Sequence, residues 1–139
     1  MRNLIGRRTV PDIRQSEAAE CGLACLAMVL GYHGHDVDLG TLRRRHPTSL
    51  SGLTMGALMA LAGRMDLTAR ALRLEAEQLG SLALPAVLHW DMDHFVVLTT
   101  VKRNGDLVVH DPARGKLRIG SAEASRRFTG VAMELTPTH

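Results

Sequence analysis

The stretch that most constrains this chain is Cys21 to Leu30, a run of small and apolar residues without a single charge. Gln15-Ser16-Glu17-Ala18-Ala19-Glu20 precedes it and Gly31-Tyr32 follows. Acidic residues at the head and a glycine near the tail are helix start and stop signals, so the segment reads as a buried helix. Cys21 then falls at or near the helix N-terminus, where unpaired backbone N–H groups and the positive end of the helix dipole favour a thiolate over a thiol. A thiolate is a strong nucleophile. Cys25, one turn on and deep in the apolar run, reads as a small core residue. The two cysteines share one helical turn and cannot reach disulfide geometry. Two cysteines with no C-x-x-C do not make a structural zinc site, and no cofactor or metal is expected.

A chain of 139 residues with 45% hydrophobic and 22% charged residues is long enough for one domain with a real core. Aromatic residues make up 3%, so little is available to stack on bases. The basic clusters Arg7-Arg8, Arg43-Arg44-Arg45 and Arg126-Arg127 are scattered along a chain of net charge +3. Nucleic acid is therefore not an expected partner. No apolar run approaches the length of a membrane span. Residues 1–10 lack the apolar core of a secretory signal. A reduced cytosolic setting suits a free nucleophilic cysteine. The expected organisation is an N-terminal arm over 1–9 and one domain over 10–137.

Periodicity divides that domain in two. After the first helix, Asp38 can cap a short helix ending at Pro47, a loop covers 49–52, and Thr54 can cap a helix over 55–65. From Leu67 the pattern changes to alternation and β-branched runs. Strands are expected at 67–72, 85–90, 94–101, 106–110, 116–119 and 131–135, with a helical turn at 75–79 and a short helix capped by Ser121. Helices first and an antiparallel sheet second is the α+β pattern.

A cysteine nucleophile needs a base that takes its proton and later protonates the leaving amine. Of seven histidines, His94 is the best placed, because it opens a rigid apolar strand directly after Asp91-Met92-Asp93. His89 and His110 are rivals within strands, and the others lie in loops or at ends. Asp111 can orient the imidazole if strands 94–99 and 106–111 pair across a loose six-residue connection, which sets it opposite His94. A tight turn at Asn104-Gly105 would instead set it opposite Leu98, about 13 Å along the strand. Gln15 can return a side-chain amide to the helix start, beside the Cys21 backbone N–H, as the second donor to an oxyanion.

The block Gln15 to Met28 with Gly31-Tyr32-His33-Gly34, the run Pro85-Ala86-Val87-Leu88-His89-Trp90 leading to Asp93-His94-Phe95-Val96-Val97-Leu98, and His110-Asp111-Pro112 together resemble a known domain. It is the bacteriocin-processing cysteine peptidase domain, or double-glycine leader peptidase, of ABC transporters of the colicin V and microcin exporter type. The resemblance covers about residues 8–137. It implies a papain-like fold with Cys21 as nucleophile, His94 as general acid/base, Asp111 as orienter and Gln15 in the oxyanion hole. It also implies cleavage after Gly-Gly of a precursor with an amphipathic leader helix, on the cytoplasmic face of the inner membrane. The transmembrane and ATPase domains of the transporter would be partners, and ATP binding would belong to them. Leu53, Met55, Met59 and Leu67 are candidates for an apolar leader-binding surface. The alternative is a silent docking domain; all four site positions are filled, which favours the enzyme.

Overall fold

The structure, a computed structural model, describes residues 8–47 and 52–138. The expected arm lies outside those residues except for Arg8 and Thr9, and the expected 49–52 loop except for Gly52.

Helix α1 (Cys21–Tyr32) is buried at every position from Cys21 to Gly31. A helix that is apolar on all sides must be covered on all sides. Helices α2 (Leu39–Arg45) and α3 (Met55–Arg64) cover part of it, and a sheet covers the rest. Asp38 accepts the Thr41 N–H at 2.7 Å and Thr54 accepts the Ala57 N–H at 3.1 Å, so both expected caps form.

The sheet contains β1 (Leu67–Arg73), β2 (Ala86–Trp90), β3 (His94–Val101), β4 (Leu107–Asp111), β5 (Gly115–Ile119) and β6 (Phe128–Pro137), in the order β1-β6-β2-β3-β4-β5. Every neighbouring pair is antiparallel. Val87, Phe95, Val97, Met133 and Leu135 join the core around α1. Leu88, Val96, Leu98, Val109 and Ala132 form a second core with Leu79 and with Ala124 of α4 (Ser121–Arg127). The architecture is α+β, as expected.

Three local expectations are corrected. Strand β6 runs from Phe128 rather than Val131, because the chain passes from α4 straight into the sheet and Gly130 takes φ +97° there. Ser121 is not a cap: Gly120 holds that position, and Asp106 in the β3–β4 turn accepts the Ser121 N–H at 3.2 Å. Leu67 is core, 1% exposed beneath α3, and cannot dock a ligand.

The β3–β4 register is a fourth correction, and it positions the site. Near the turn, Val101 faces Leu107 and Thr100 faces Val108; beyond it, Leu98 faces Val109 and Val97 faces His110. Thr99 is the extra residue of a bulge, and its hydroxyl donates to the Val108 carbonyl at 3.1 Å. Continued past His110, this register sets Asp111 against Val96. The Asp then lies diagonal to His94, two residues or about 6.6 Å along the strand and on the same face. Neither hairpin weighed from the sequence has this register.

Candidate active site

Cys21 is the first residue of α1 and is 6% exposed. A 3₁₀ turn, Ala18–Glu20, leads directly into it. Glu20 is buried, yet its carboxylate is fully engaged. Oε1 accepts the Ser16 and Glu17 N–H groups at 2.8 and 3.1 Å, and Arg43 of α2 grips both carboxylate oxygens. Arg43 also donates to the Ser16 hydroxyl at 3.3 Å. The hydrogen bond from Arg43 is the main cause holding the Glu20 carboxyl below its ordinary value. The loop between Gln15 and Cys21 is thereby folded around a buried anion and tied to a second helix. Neither Glu20 nor Arg43 was singled out from the sequence as part of the site. The visible signal is an acidic residue directly before the cysteine and the Arg43-Arg44-Arg45 cluster, which from sequence reads as a solvated helix face or a contact to a membrane surface or partner.

His94 opens β3, half-buried, and Asp111 ends β4 with 3% of its side chain exposed. His94 Nε2 and Asp111 Oδ1 lie 2.7 Å apart. Burial raises the Asp111 carboxyl, but the hydrogen bonds from His94 and from the Ala113 N–H (2.8 Å) more than offset it, and the net shift is downward. An ionised carboxylate can only accept, so Nε2 carries the proton. That leaves Nδ1 as the nitrogen available to the Cys21 sulfur. Burial pulls the His94 pKa down; hydrogen bonds with Asp111 and with Cys21, and their charges, push it up to about 9.

Gln15 lies beside this pair. Its backbone N–H donates to the Pro112 carbonyl at 2.9 Å, which fastens the segment before α1 to the residue after Asp111. Its Nε2 donates one hydrogen to the Glu17 carbonyl at 3.1 Å and keeps the other, while Oε1 is buried without a partner among the described residues. The structure thus joins His94 to Asp111 by a hydrogen bond, sets Cys21 close enough to the imidazole to raise its pKa, and ties the Gln15 backbone to Pro112, the residue after Asp111.

The rivals are accounted for. His89 is bonded to the Thr129 hydroxyl at 2.7 Å and packs on Phe95. His110 faces the other side of the sheet from Asp111, opposite Val97; burial, then the Lys116 charge, depress its pKa. Cys25 is fully enclosed, and burial, followed by charge at Cys21 and Asp111, pushes its thiol well up. Among the described residues no cluster of His, Cys, Asp and Glu could hold a metal ion, and no helix is long and apolar enough to cross a membrane.

An apolar cleft of ≈380 Å³ is lined by Leu53, Met55, His89, Asp93, Phe95 and Val131. Leu53 and Phe95 flank Gly22, the residue after Cys21. Two clefts of similar size border the 76–79 turn and share no residue with this site.

The Glu20–Arg43 tie carries a prediction. Arg43→Ala lowers kcat for a peptide substrate about 10- to 100-fold, because small displacements of reacting groups are that costly. Arg43→Lys restores only part of it, since an ammonium cannot grip both carboxylate oxygens as the guanidinium fork does. Steady-state kinetics on the three proteins checks this.

Residues 9–139 match the peptidase C39 family. The chain is 50% identical over 131 residues to the probable microcin-H47 secretion/processing ATP-binding protein MchF of Escherichia coli. It is equally similar to the colicin V secretion/processing ATP-binding protein CvaB of the same organism. Each match covers 94% of this chain and 19% of the relative, so the chain spans about a fifth of the length of these curated relatives. Among solved structures, a double glycine motif protease from an AMS/PCAT transporter, in complex with the leader peptide, superposes with a TM-score of 0.87 at 38% identity. That match covers 97% of this chain and 96% of the other. The chain belongs to the peptidase C39 family.

Proposed function

We propose that this chain is a cysteine endopeptidase domain that removes a double-glycine leader from a bacteriocin- or microcin-type precursor, cutting after Gly-Gly. The observation that carries it is the hydrogen-bonded His94–Asp111 pair, its imidazole raised in pKa by Cys21 at the head of a buried helix, in a chain of the C39 family. Cys21 Sγ attacks the carbonyl carbon of the second glycine. The oxyanion takes hydrogen bonds from the Cys21 N–H and from the free hydrogen of Gln15 Nε2. His94 Nδ1–H protonates the leaving amine, which departs with the mature peptide, and the leader remains as a thioester. A water molecule then gives its proton to Nδ1 and adds to the thioester carbonyl, releasing the leader acid and Cys21. Asp111 holds the ring so that Nδ1 meets the sulfur throughout.

Residues 10–137 form this domain, preceded by the arm at 1–9. The transmembrane and ATPase domains of an ABC transporter are its partners, and its place is the cytoplasmic face of the inner membrane. The apolar cleft beside Gly22 suits an apolar face of the leader helix. Support comes from the relatives' names and from the leader-bound neighbour. Mass spectrometry of a double-glycine precursor incubated with wild type and with Cys21→Ala tests the proposal. Cleavage by the wild type alone, at the bond after Gly-Gly, is the expected result. Binding without cleavage by the wild type identifies a docking domain instead.

The pH dependence follows from His94. A protonated imidazole is needed as partner and acid, so kcat/KM falls on the alkaline side through about pH 9. Because its pKa is raised on folding, the stability it contributes is complete below the ordinary value of 6.5 and is lost as pH rises through about 9. Rate–pH profiles and urea melts at several pH values measure the two effects.

A further inference from the structure

Met92 is the only large apolar side chain among the described residues that is strongly exposed, at 79%. A single exposed apolar residue is ordinary. Met92 also sits at φ +71°, in the left-handed region, directly after Asp91 at φ +52°. Asp tolerates that region through local hydrogen bonding, whereas Met has no such relief. Glycine or asparagine would serve the turn better, so the fold gains from Met92 neither backbone ease nor burial.

The tip that presents it is nevertheless firmly held. Arg127 donates to both oxygens of Asp91 (Nη2–Oδ2 2.6 Å, Nε–Oδ1 3.1 Å), bonds Glu123 at 3.1 Å and lies over the Trp90 ring at 5.3 Å. The Asp91 N–H donates to the Arg127 carbonyl at 2.9 Å, and the Asp93 N–H to the Asp91 carbonyl at 2.9 Å. The location is also specific. Asp93 lines the apolar cleft beside Gly22, His94 follows it, and the Asp91 carboxylate is close enough to feel the charges of His94 and Asp111. Residues kept in costly backbone conformations on rigid supports cluster at functional sites.

We infer that Met92 is a specificity-determining contact, its thioether packing on an apolar side chain of the precursor near the scissile bond. The inference rests on the leader-peptidase reading. A flexible, polarisable side chain suits contact with varied apolar partners.

Michaelis kinetics on a double-glycine precursor, with thermal melts, compares wild type, Met92→Gly, Met92→Lys and Met92→Leu. Met92→Gly raises Tm by about 3 °C, because glycine occupies φ +71° freely. Both Met92→Gly and Met92→Lys raise KM at least fivefold with a smaller change in kcat, and Met92→Leu restores it. An unchanged KM in both variants, while wild type cleaves, overturns this inference and leaves the peptidase reading standing. Failure of wild type to cleave any double-glycine precursor overturns both.

Discussion

Cys21→Ala stops cleavage of a double-glycine precursor, with kcat falling about 10⁴- to 10⁶-fold, and leaves the fold in place. The magnitude is that of removing a nucleophile whose partners act as a unit: without the sulfur, His94, Asp111 and the oxyanion donors can no longer form the thioester. The fold survives for local reasons. Alanine is a better helix former than cysteine, and the change removes one atom from a position with residual exposure. The Glu20–Arg43 tie and the Gln15–Pro112 bond that shape the loop before the helix do not involve the sulfur. Product analysis by mass spectrometry, beside circular dichroism and a thermal melt, separates loss of chemistry from loss of structure. Cleavage retained by Cys21→Ala would end the nucleophile assignment, since Cys25 is fully enclosed and cannot replace it.

His94→Gln lowers kcat about 10³- to 10⁵-fold, and His94→Ala does the same while also destabilising the protein. The shared loss is that of the proton carrier and of the cation facing the sulfur. The difference between them lies in Asp111. Its carboxylate is 3% exposed and accepts from His94 and from the Ala113 N–H. Alanine removes one of these donors and leaves a buried charge underpaired, which costs about 1–3 kcal/mol. Glutamine can keep a donor near that oxygen. Steady-state kinetics and urea melts on both variants check the two effects together. If His94→Gln kept wild-type kcat, the acid–base role would belong to another group, and His89 would be the first to examine.

Much of this was legible in the chain because local signals carried it. The charge-free run from Cys21 requires burial, Asp38 and Thr54 are strong caps, and the β-branched run after His94 has no helical reading. What escaped was set by tertiary contacts. Ser121 looks like a cap until Asp106, fifteen residues earlier, takes its N–H. Gly130 looks like a break in a strand until its positive φ lets β6 continue through it. Leu67 fits an exposed apolar stripe until α3 lies over it. Candidate site residues follow from their types and positions, but their mutual geometry does not, because it depends on an inserted residue at Thr99 that alternation patterns do not reveal.

That inserted residue has a consequence for how the hairpin tolerates change. Side chains on a strand swap faces with every step, so the count between imidazole and carboxylate has a parity, and the bulge supplies the odd unit that makes it come out right. Indels within β3 or β4 therefore keep the dyad intact only when they arrive in twos, or when a new kink replaces the lost one. The 102–106 connection lies outside this count. It is the natural place to graft a tag or a longer loop without turning the carboxylate away from the ring.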